Sequence, residues 1–142
     1  MTSQKRFALD TSVAVPLLLH AHSAHAAVSA WAAGRILGLS GHALIETYSV
    51  LTRLPGDSRV GAADAVTLID DNFPELYMLS TEATSRAHRE LALHGVSGGA
   101  TYDGLVALAA RENDAVLVTR DARARQTYEA LGAAVEIIID SV

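Results

Sequence analysis

The sequence predicts an α/β fold in which helices cover both faces of a central parallel sheet of about five short strands. Short, continuously apolar segments, as buried strands require, alternate along the whole chain with longer segments of helical character. Strands that are separated by helices pair in parallel, because a parallel connection needs a long crossover. The chain has 142 residues, half of them hydrophobic, so we expect a single domain over residues 1–142 with a sizeable core.

Five segments have the apolar character of buried strands. The first, RFALD, ends at an acid, Asp10, and the fourth, AVLVT, is fully apolar. In sheets of this kind, binding sites lie at the carboxyl ends of the strands, where the strand order switches. The residues that follow each strand are therefore the first candidates for a site. The predicted strands cover residues 6–10, 35–40, 75–80, 115–119 and 134–139.

Helices are predicted between these strands, with capping and turn residues at their ends. The first begins at about Ser12, with Thr11 or Ser12 as its N-cap. Pro16 lies near its first turn, where a missing N–H matters least. Thr81 is the predicted cap of a later helix. The remaining helices are predicted at about 23–33, 41–56, 61–73, 81–94, 101–113 and 121–132.

The composition excludes several classes of site. There is no cysteine, which rules out disulfides, thiolate metal sites and cysteine nucleophiles. No stretch approaches the roughly 18 uninterrupted apolar residues of a membrane span. The first apolar run contains Asp10 and Pro16, which makes a signal peptide a poor interpretation. We therefore expect a cytoplasmic protein with no membrane partner.

The net charge of −5 argues weakly against binding nucleic acid over the whole surface. The basic residues are almost all arginine, which can grip phosphate through two hydrogen bonds. A local phosphate-binding patch and a solvated helix face both remain open for one late stretch. That stretch contains Arg111, Arg120, Arg123 and Arg125.

Four acids are candidates for one shared site. Asp10 and Asp121 follow the first and fourth strands, so they face the same edge of the sheet if those strands are neighbours. Asp103 lies in the first turn of a predicted helix, where the helix dipole favours a carboxylate. Glu46 lies in an otherwise apolar helical stretch. Each acid alone could equally be a cap or a surface residue, and their combination is what indicates function.

Carboxylates from four separate elements, with no histidine or cysteine among them, describe a site for a hard cation such as Mg²⁺ or Mn²⁺. Without a cation, so many like charges would raise one another's pKa values. We therefore expect Asp10 to be tolerated because a cation lies over it. Thr11, Ser12 and Thr119 could contact water at such a site or simply cap helices.

The chain resembles the PIN-domain ribonucleases, and most of all the VapC toxins of bacterial toxin–antitoxin pairs. The resemblance implies a PIN-like three-layer sandwich. It also implies that Asp10, Glu46, Asp103 and Asp121 form the catalytic, metal-binding cluster, with auxiliary hydroxyls at Ser12 and Thr119. The segments that carry the resemblance are FALDTSVAV, HALIETYSVLTRL, GGATYDGLVALAA and VLVTRDARARQTYEALGAAVEII.

The resemblance further implies an Mg²⁺- or Mn²⁺-dependent endoribonuclease that hydrolyses RNA phosphodiester bonds. It implies a homodimer and a cognate VapB-type antitoxin, which would lie in a groove near the early helices. Arg120 and Arg123 flank Asp121 and could either contact an RNA phosphate or pair with nearby acids. The apolar residues of the early elements are expected to be mostly core. These are Trp31, Leu37, Tyr48, Leu51 and Leu54.

Two other interpretations are open. His20, His22 and His25 could bind zinc, but no cysteine or nearby acid completes a tetrahedral site, so a solvated turn is favoured. The chain could also be a catalytically silent PIN-fold protein whose acidic pocket docks a basic peptide. A phosphoacceptor receiver domain is excluded, because it needs a lysine near the last strand and Lys5 is the only lysine. Aromatic residues make up 5% of the chain, and no stacking surface for RNA bases is evident.

Overall fold

The computed structural model describes residues 4–139. Within that range it contains one sheet of five parallel strands in the order β3-β2-β1-β4-β5. The predicted parallel α/β architecture is confirmed. The strands are β1 (Arg6–Leu9), β2 (Leu37–Ser40), β3 (Glu75–Tyr77), β4 (Ala115–Thr119) and β5 (Val135–Ile137).

Seven α-helices connect the strands of the described range. None of them is long and apolar enough to cross a membrane. A short 3₁₀ turn, Gly56–Ser58, follows the third helix. The helices are α1 (Thr11–Leu18), α2 (His25–Ala32), α3 (Gly41–Thr52), α4 (Ala62–Asn72), α5 (Thr81–Leu93), α6 (Ala100–Glu112) and α7 (Ala122–Ala130).

Two predicted helix caps were wrong. The N-cap of α1 is Asp10, whose carboxylate accepts the Ser12 N–H at 3.0 Å; neither Thr11 nor Ser12 holds that position. The N-cap of α5 is Ser80, one residue before the predicted Thr81. Both true caps have extended backbone and lie between a strand and the helix that follows it.

The strand order places a topological switch beside β1. From β1 the chain moves outward through β2 to β3 and then returns to β4, on the opposite side of β1. Leu9 pairs with Val118 across β1 and β4, and the Asp10 N–H continues the ladder to the Val118 carbonyl at 3.1 Å. Right-handed crossovers in opposite directions place helices on both faces of the sheet. The crevice of the fold therefore opens at the carboxyl ends of β1 and β4.

The core lies between the sheet and these helices. Leu9, Leu39 and Leu117 in the strands are fully buried. Burial of a leucine side chain contributes about 1.5–3 kcal/mol, so these strand residues stabilise the centre of the fold. Among the early apolar residues, Leu37 and Leu51 are buried as predicted. The other three, Trp31, Tyr48 and Leu54, are half-buried.

Gly38 allows β2 and β3 to approach closely. A Cβ atom at this position would lie 2.6 Å from the Tyr77 ring and 2.7 Å from the Glu75 carbonyl oxygen. Real carbon atoms do not approach a backbone oxygen so closely without displacing it. The glycine therefore permits the observed packing of Tyr77 against β2.

Candidate active site

Asp10 lies at the carboxyl end of β1 and is buried, with only 6% of its surface exposed. One carboxylate oxygen accepts the Ser12 backbone N–H and the Ser12 hydroxyl. The other oxygen accepts the Tyr128 hydroxyl at 2.8 Å. A buried carboxylate is costly unless it is hydrogen-bonded, and here both oxygens are. The expectation that a cation makes Asp10 tolerable stays a prediction: protein donors bind both oxygens, yet burial still raises the pKa of this carboxyl.

Burial and hydrogen bonding act on Asp10 in opposite directions. Loss of solvent raises the pKa of the Asp10 carboxyl above its ordinary value, and this effect outweighs the opposing contributions of Ser12, Thr119 and Tyr128. Burial and the nearby carboxylates of Asp10 and Asp103 strongly raise the pKa of Tyr128. The tyrosine hydroxyl therefore keeps its proton and acts as a permanent donor to Asp10.

Two hydroxyls connect the ends of β1 and β4. The Ser12 Oγ lies 3.3 Å from the Thr119 Oγ1 and accepts the Arg120 backbone N–H at 2.9 Å. The Thr119 Oγ1 accepts the Asp121 backbone N–H at 3.0 Å. Since Ser12 also donates to Asp10, the two hydroxyls form a bridge between the acid after β1 and the acid after β4. They fix the relative positions of these two acids.

Glu46 is positioned by contacts within and beyond its own helix. The Thr11 hydroxyl donates to its Oε1 at 3.2 Å, and the His42 Nε2 lies 3.2 Å from its Oε2. His42 is one helical turn before Glu46 on α3, so the pair shares one face of that helix. The Glu46 side chain is 43% exposed. It is thus oriented by two neighbours while remaining accessible to solvent.

Asp103 is the acid on which the charges of the other three acids act. It lies in the first turn of α6 and is exposed. Its pKa is raised, first by partial desolvation and then by the charges of Asp10, Glu46 and Asp121, while His42 acts in the opposite direction. The sheet edge and the two helices therefore bring all four predicted acids into one electrostatic neighbourhood.

The four acids influence one another's charge, but their side chains do not converge on a single metal position. Within residues 4–139, no three Asp, Glu, His or Cys side chains are grouped in a way that could hold a metal ion. The donors are all carboxylate oxygens, which suits a hard cation, and partial desolvation together with the charges of the other three acids raises the pKa of Asp103. In chemical type and in charge, these residues fit a divalent cation.

Comparison with known proteins identifies the family. The family model named PIN domain matches residues 7–130. The chain belongs to the PIN-domain family. It is 56% identical to Ribonuclease VapC27 of Mycobacterium tuberculosis over 125 residues. These residues cover 88% of this chain and 91% of that protein.

A second relative supports the assignment, and a solved structure matches the fold. The chain is 41% identical over 130 residues to Ribonuclease VapC40 of Mycobacterium tuberculosis, covering 91% of this chain and 96% of that protein. Its fold matches the crystal structure of VapBC2 from Rickettsia felis bound to a DNA fragment from their promoter. That match has a TM-score of 0.64 at 17% identity and covers 93% of this chain and 98% of the other. The PIN-like three-layer fold predicted from the sequence is thereby confirmed.

The two arginines beside Asp121 differ in their surroundings in this PIN domain. Arg120 is half-buried, and its Nη1 donates to the Ser12 carbonyl at 3.3 Å. Arg123 is exposed, and its backbone N–H is bound by the Asp121 carboxylate at 2.9 Å, where Asp121 caps α7. Arg120 is therefore tied to the residues around Asp10, whereas the Arg123 side chain is exposed to solvent.

Sequence reasoning missed Tyr128 and His42. Tyr128 is 118 positions from Asp10 in the chain, and its position on an amphipathic helix predicts only that it is buried. Its role depends on which group the fold places opposite its hydroxyl. His42 did carry a signal, since histidine and glutamate four residues apart on a helix lie on the same face.

The three early histidines form a compact turn in the PIN fold. His20 and His22 lie between α1 and α2, and His25 is the first residue of α2. The His22 Nδ1 accepts the Ala24 N–H at 3.0 Å, and the His25 Nδ1 donates to the Pro16 carbonyl at 2.9 Å. His20 stacks on His25 with ring centroids 4.4 Å apart. Through these contacts the three rings stabilise the turn between α1 and α2.

Proposed function

We propose that this PIN-domain protein is a divalent-metal-dependent endoribonuclease toxin of the VapC type, which hydrolyses RNA phosphodiester bonds and thereby inhibits growth. Its identity to two VapC ribonucleases over about nine-tenths of the chain supports this activity. The observation that carries the site assignment is geometric: the pairing of β1 with β4 brings Asp10 and Asp121 to one edge of the sheet, and Glu46 and Asp103 line one groove. A silent binding protein is the less favoured alternative, because both relatives are ribonucleases.

Asp10, Glu46, Asp103 and Asp121 would hold the cation, which we take to be Mg²⁺ or Mn²⁺. All four supply the oxygen ligands that these ions prefer. When bound, the ion would stabilise negative charge on a phosphoryl oxygen and make a water molecule more acidic. The chain itself offers a fixed carboxylate at Asp10 and three solvent-accessible carboxylates around it.

The other residues of the site orient these acids. Tyr128 and Ser12 hold the Asp10 carboxylate in one direction. The hydroxyl bridge from Ser12 to Thr119 sets the position of Asp121 relative to it. We assign Ser12 and Thr119 this auxiliary role. The exposed Arg123, with Arg120 beside it, is suited to contact an RNA phosphate.

We also propose that a VapB-type antitoxin binds beside the acids. An open groove of about 290 Å³ runs along α1, lined by Val15, Pro16 and Val50 and reaching Ser12 and Arg120. Its apolar floor suits a hydrophobic peptide segment, and Ser12, which also lines it, donates to Asp10. The Rickettsia felis protein of similar fold is a VapBC pair, which supports a partner of this kind. A homodimer, expected from the family resemblance, belongs to the same proposal and is tested by light scattering.

Replacement of one acid tests the proposed activity. Asp103→Asn should abolish RNA cleavage in Mg²⁺ or Mn²⁺ and growth inhibition in cells, because one oxygen anion of the cluster is lost. Asp64→Asn is the matched control, since Asp64 is also an exposed acid in the first turn of a helix, α4. The Asp64→Asn variant should cleave RNA like the wild-type protein. EDTA should stop cleavage by the wild type and by Asp64→Asn.

The outcomes are distinct. Cleavage by Asp103→Asn at the wild-type rate would refute the assignment of the acids. Cleavage by the wild-type protein that persists in EDTA would refute the metal dependence while leaving the ribonuclease activity in place. RNA fragments sequenced at their 5′ ends after brief expression would identify the bond that is cut.

A further inference from the structure

One aromatic side chain differs from the other six in its exposure. All seven aromatic residues lie within the described range, and Tyr102 alone is exposed, with 57% of its surface accessible. The remaining six are buried or half-buried. An exposed tyrosine presents a large apolar ring to water, which is unfavourable unless something covers it. Tyr102 lies in the first turn of α6, directly before Asp103.

The Tyr102 ring is held in a defined orientation. It stacks on the His42 ring with centroids 5.1 Å apart and planes inclined by 11°. His42 in turn is fixed by its contact with Glu46. The two rings therefore form a flat stacked pair. The His42 ring contacts Glu46, and the other ring belongs to Tyr102, which directly precedes Asp103. An orientation fixed in advance reduces the entropy lost when a third ring stacks on the pair.

The ring pair forms one side of an open groove of about 400 Å³ between α3 and α6. The groove also contains Ile45, an apolar side chain that is 63% exposed, and the exposed cation Arg53. Asp103 and Glu46 lie at its edge. Aromatic, apolar and cationic groups side by side suit a nucleotide, whose base and phosphate need different surroundings.

We propose that Tyr102, supported by His42, is a stacking platform for an unpaired base of single-stranded RNA beside the bond that is cleaved. The inference rests on the proposed ribonuclease function and adds a positioning residue to it. Sequence-specific proteins that bind RNA stack splayed bases on aromatic side chains, because the bases of a duplex are already stacked on one another. Tyr102 is thus a substrate-positioning residue that selects unpaired RNA.

The test measures RNA binding apart from cleavage. The probes are a fluorescein-labelled single-stranded RNA 12-mer of random sequence and a fluorescein-labelled 12-base-pair RNA duplex. Binding is followed by anisotropy in Ca²⁺, with RNA integrity checked on a gel. Tyr102→Ala should raise the Kd for the single strand about 5- to 150-fold, the range for one stacked base. Tyr102→Phe should bind within about twofold of wild type, since the ring remains.

A matched control lies outside the groove. Leu93 is the last residue of α5 and is 82% exposed, so Leu93→Ala removes a similar apolar surface elsewhere. It should leave the Kd for both RNAs unchanged. For the duplex, all variants should bind equally, because no base is free to stack.

Each outcome decides the question. A Tyr102→Ala protein that binds the single strand like the wild type refutes the platform, even if every variant cleaves RNA. The expected loss of binding, combined with no cleavage in Mg²⁺ or Mn²⁺ by any variant, supports the platform and refutes the proposed function. A change of oligomeric state in Tyr102→Ala without a change in RNA affinity shows a protein interface instead and overturns the inference, as does a wild-type protein that does not bind the single strand.

Discussion

The hydrogen bond between Tyr128 and Asp10 makes a quantitative prediction about stability. Both side chains are buried, and the hydroxyl lies 2.8 Å from the carboxylate. A hydrogen bond to a charged group contributes roughly 1.5–3 kcal/mol. Tyr128→Phe keeps the ring and removes only the donor. For a chain of this size about 1 kcal/mol corresponds to roughly 2–4 °C, so the melting temperature should fall by about 3–12 °C at neutral pH.

The control for this prediction is Tyr77→Phe. Tyr77 is also buried, but its hydroxyl makes no hydrogen bond of ordinary geometry within residues 4–139. Its removal should leave the melting temperature unchanged or slightly higher. Calorimetry of both variants in EDTA at neutral pH measures the difference. Equal melting temperatures for Tyr128→Phe and Tyr77→Phe would show that Asp10 is not supported by Tyr128, and the account of how the fold holds this acid would be wrong.

Three further predictions concern charge and packing. The raised pKa of Asp103 means that the folded protein retains this proton to a higher pH than the unfolded chain, so metal-free stability should fall as pH rises from the ordinary aspartate pKa through the raised one. Asp103→Asn should reduce that pH dependence, leaving the part that the raised pKa of Asp10 contributes, and be more stable at neutral pH by at most about 1 kcal/mol, as melts between pH 3 and 8 would show. Mg²⁺ or Mn²⁺ should raise the melting temperature of the wild type more than that of Asp103→Asn, since a ligand of the folded state alone stabilises it. Gly38→Ala should lose at least about 1–3 kcal/mol in urea unfolding, because its Cβ would lie 2.7 Å from the Glu75 carbonyl; an unchanged midpoint would contradict the close approach of β2 and β3.

The sequence predicted the element types well and their ends less well. The fourth strand was predicted at its observed bounds, because a fully apolar run has few alternatives in an α/β protein. The strand predicted at 75–80 ends at Tyr77, since its partner β2 ends opposite it at Ser40. The helix predicted at 41–56 ends at Thr52, and Pro55 disfavours helical backbone at the residue before it. Strand ends depend on the pairing partner, which the local sequence does not contain.

The sequence named the acids and the two hydroxyls of the candidate site, whose roles stay predictions, but it missed Tyr128 and His42. Asp10 and Asp121 could be found because each follows an apolar strand, and the pairing of β1 with β4 brings them to one edge. Tyr128 could not be assigned, since helical periodicity predicts that a side chain is buried without naming its partner. The exposure of Tyr102 was also hidden, because a tyrosine beside apolar residues is more often part of the core.

The four acids do not contribute equally to the electrostatic cost of the site. Asp10 is buried but receives donors at both oxygens, so its environment is fixed whether or not a cation is present. Asp103 is exposed, and its pKa is set by partial desolvation and by the charge of the other three acids. A divalent ion would therefore find a rigid anchor at Asp10 and would relieve repulsion chiefly at Asp103. Replacement of Asp103 should consequently separate activity from stability: it should remove activity while preserving or improving the stability of the metal-free fold. Replacement of Tyr128 should instead lower the stability of the fold, because the Asp10 carboxylate loses a hydrogen-bond donor.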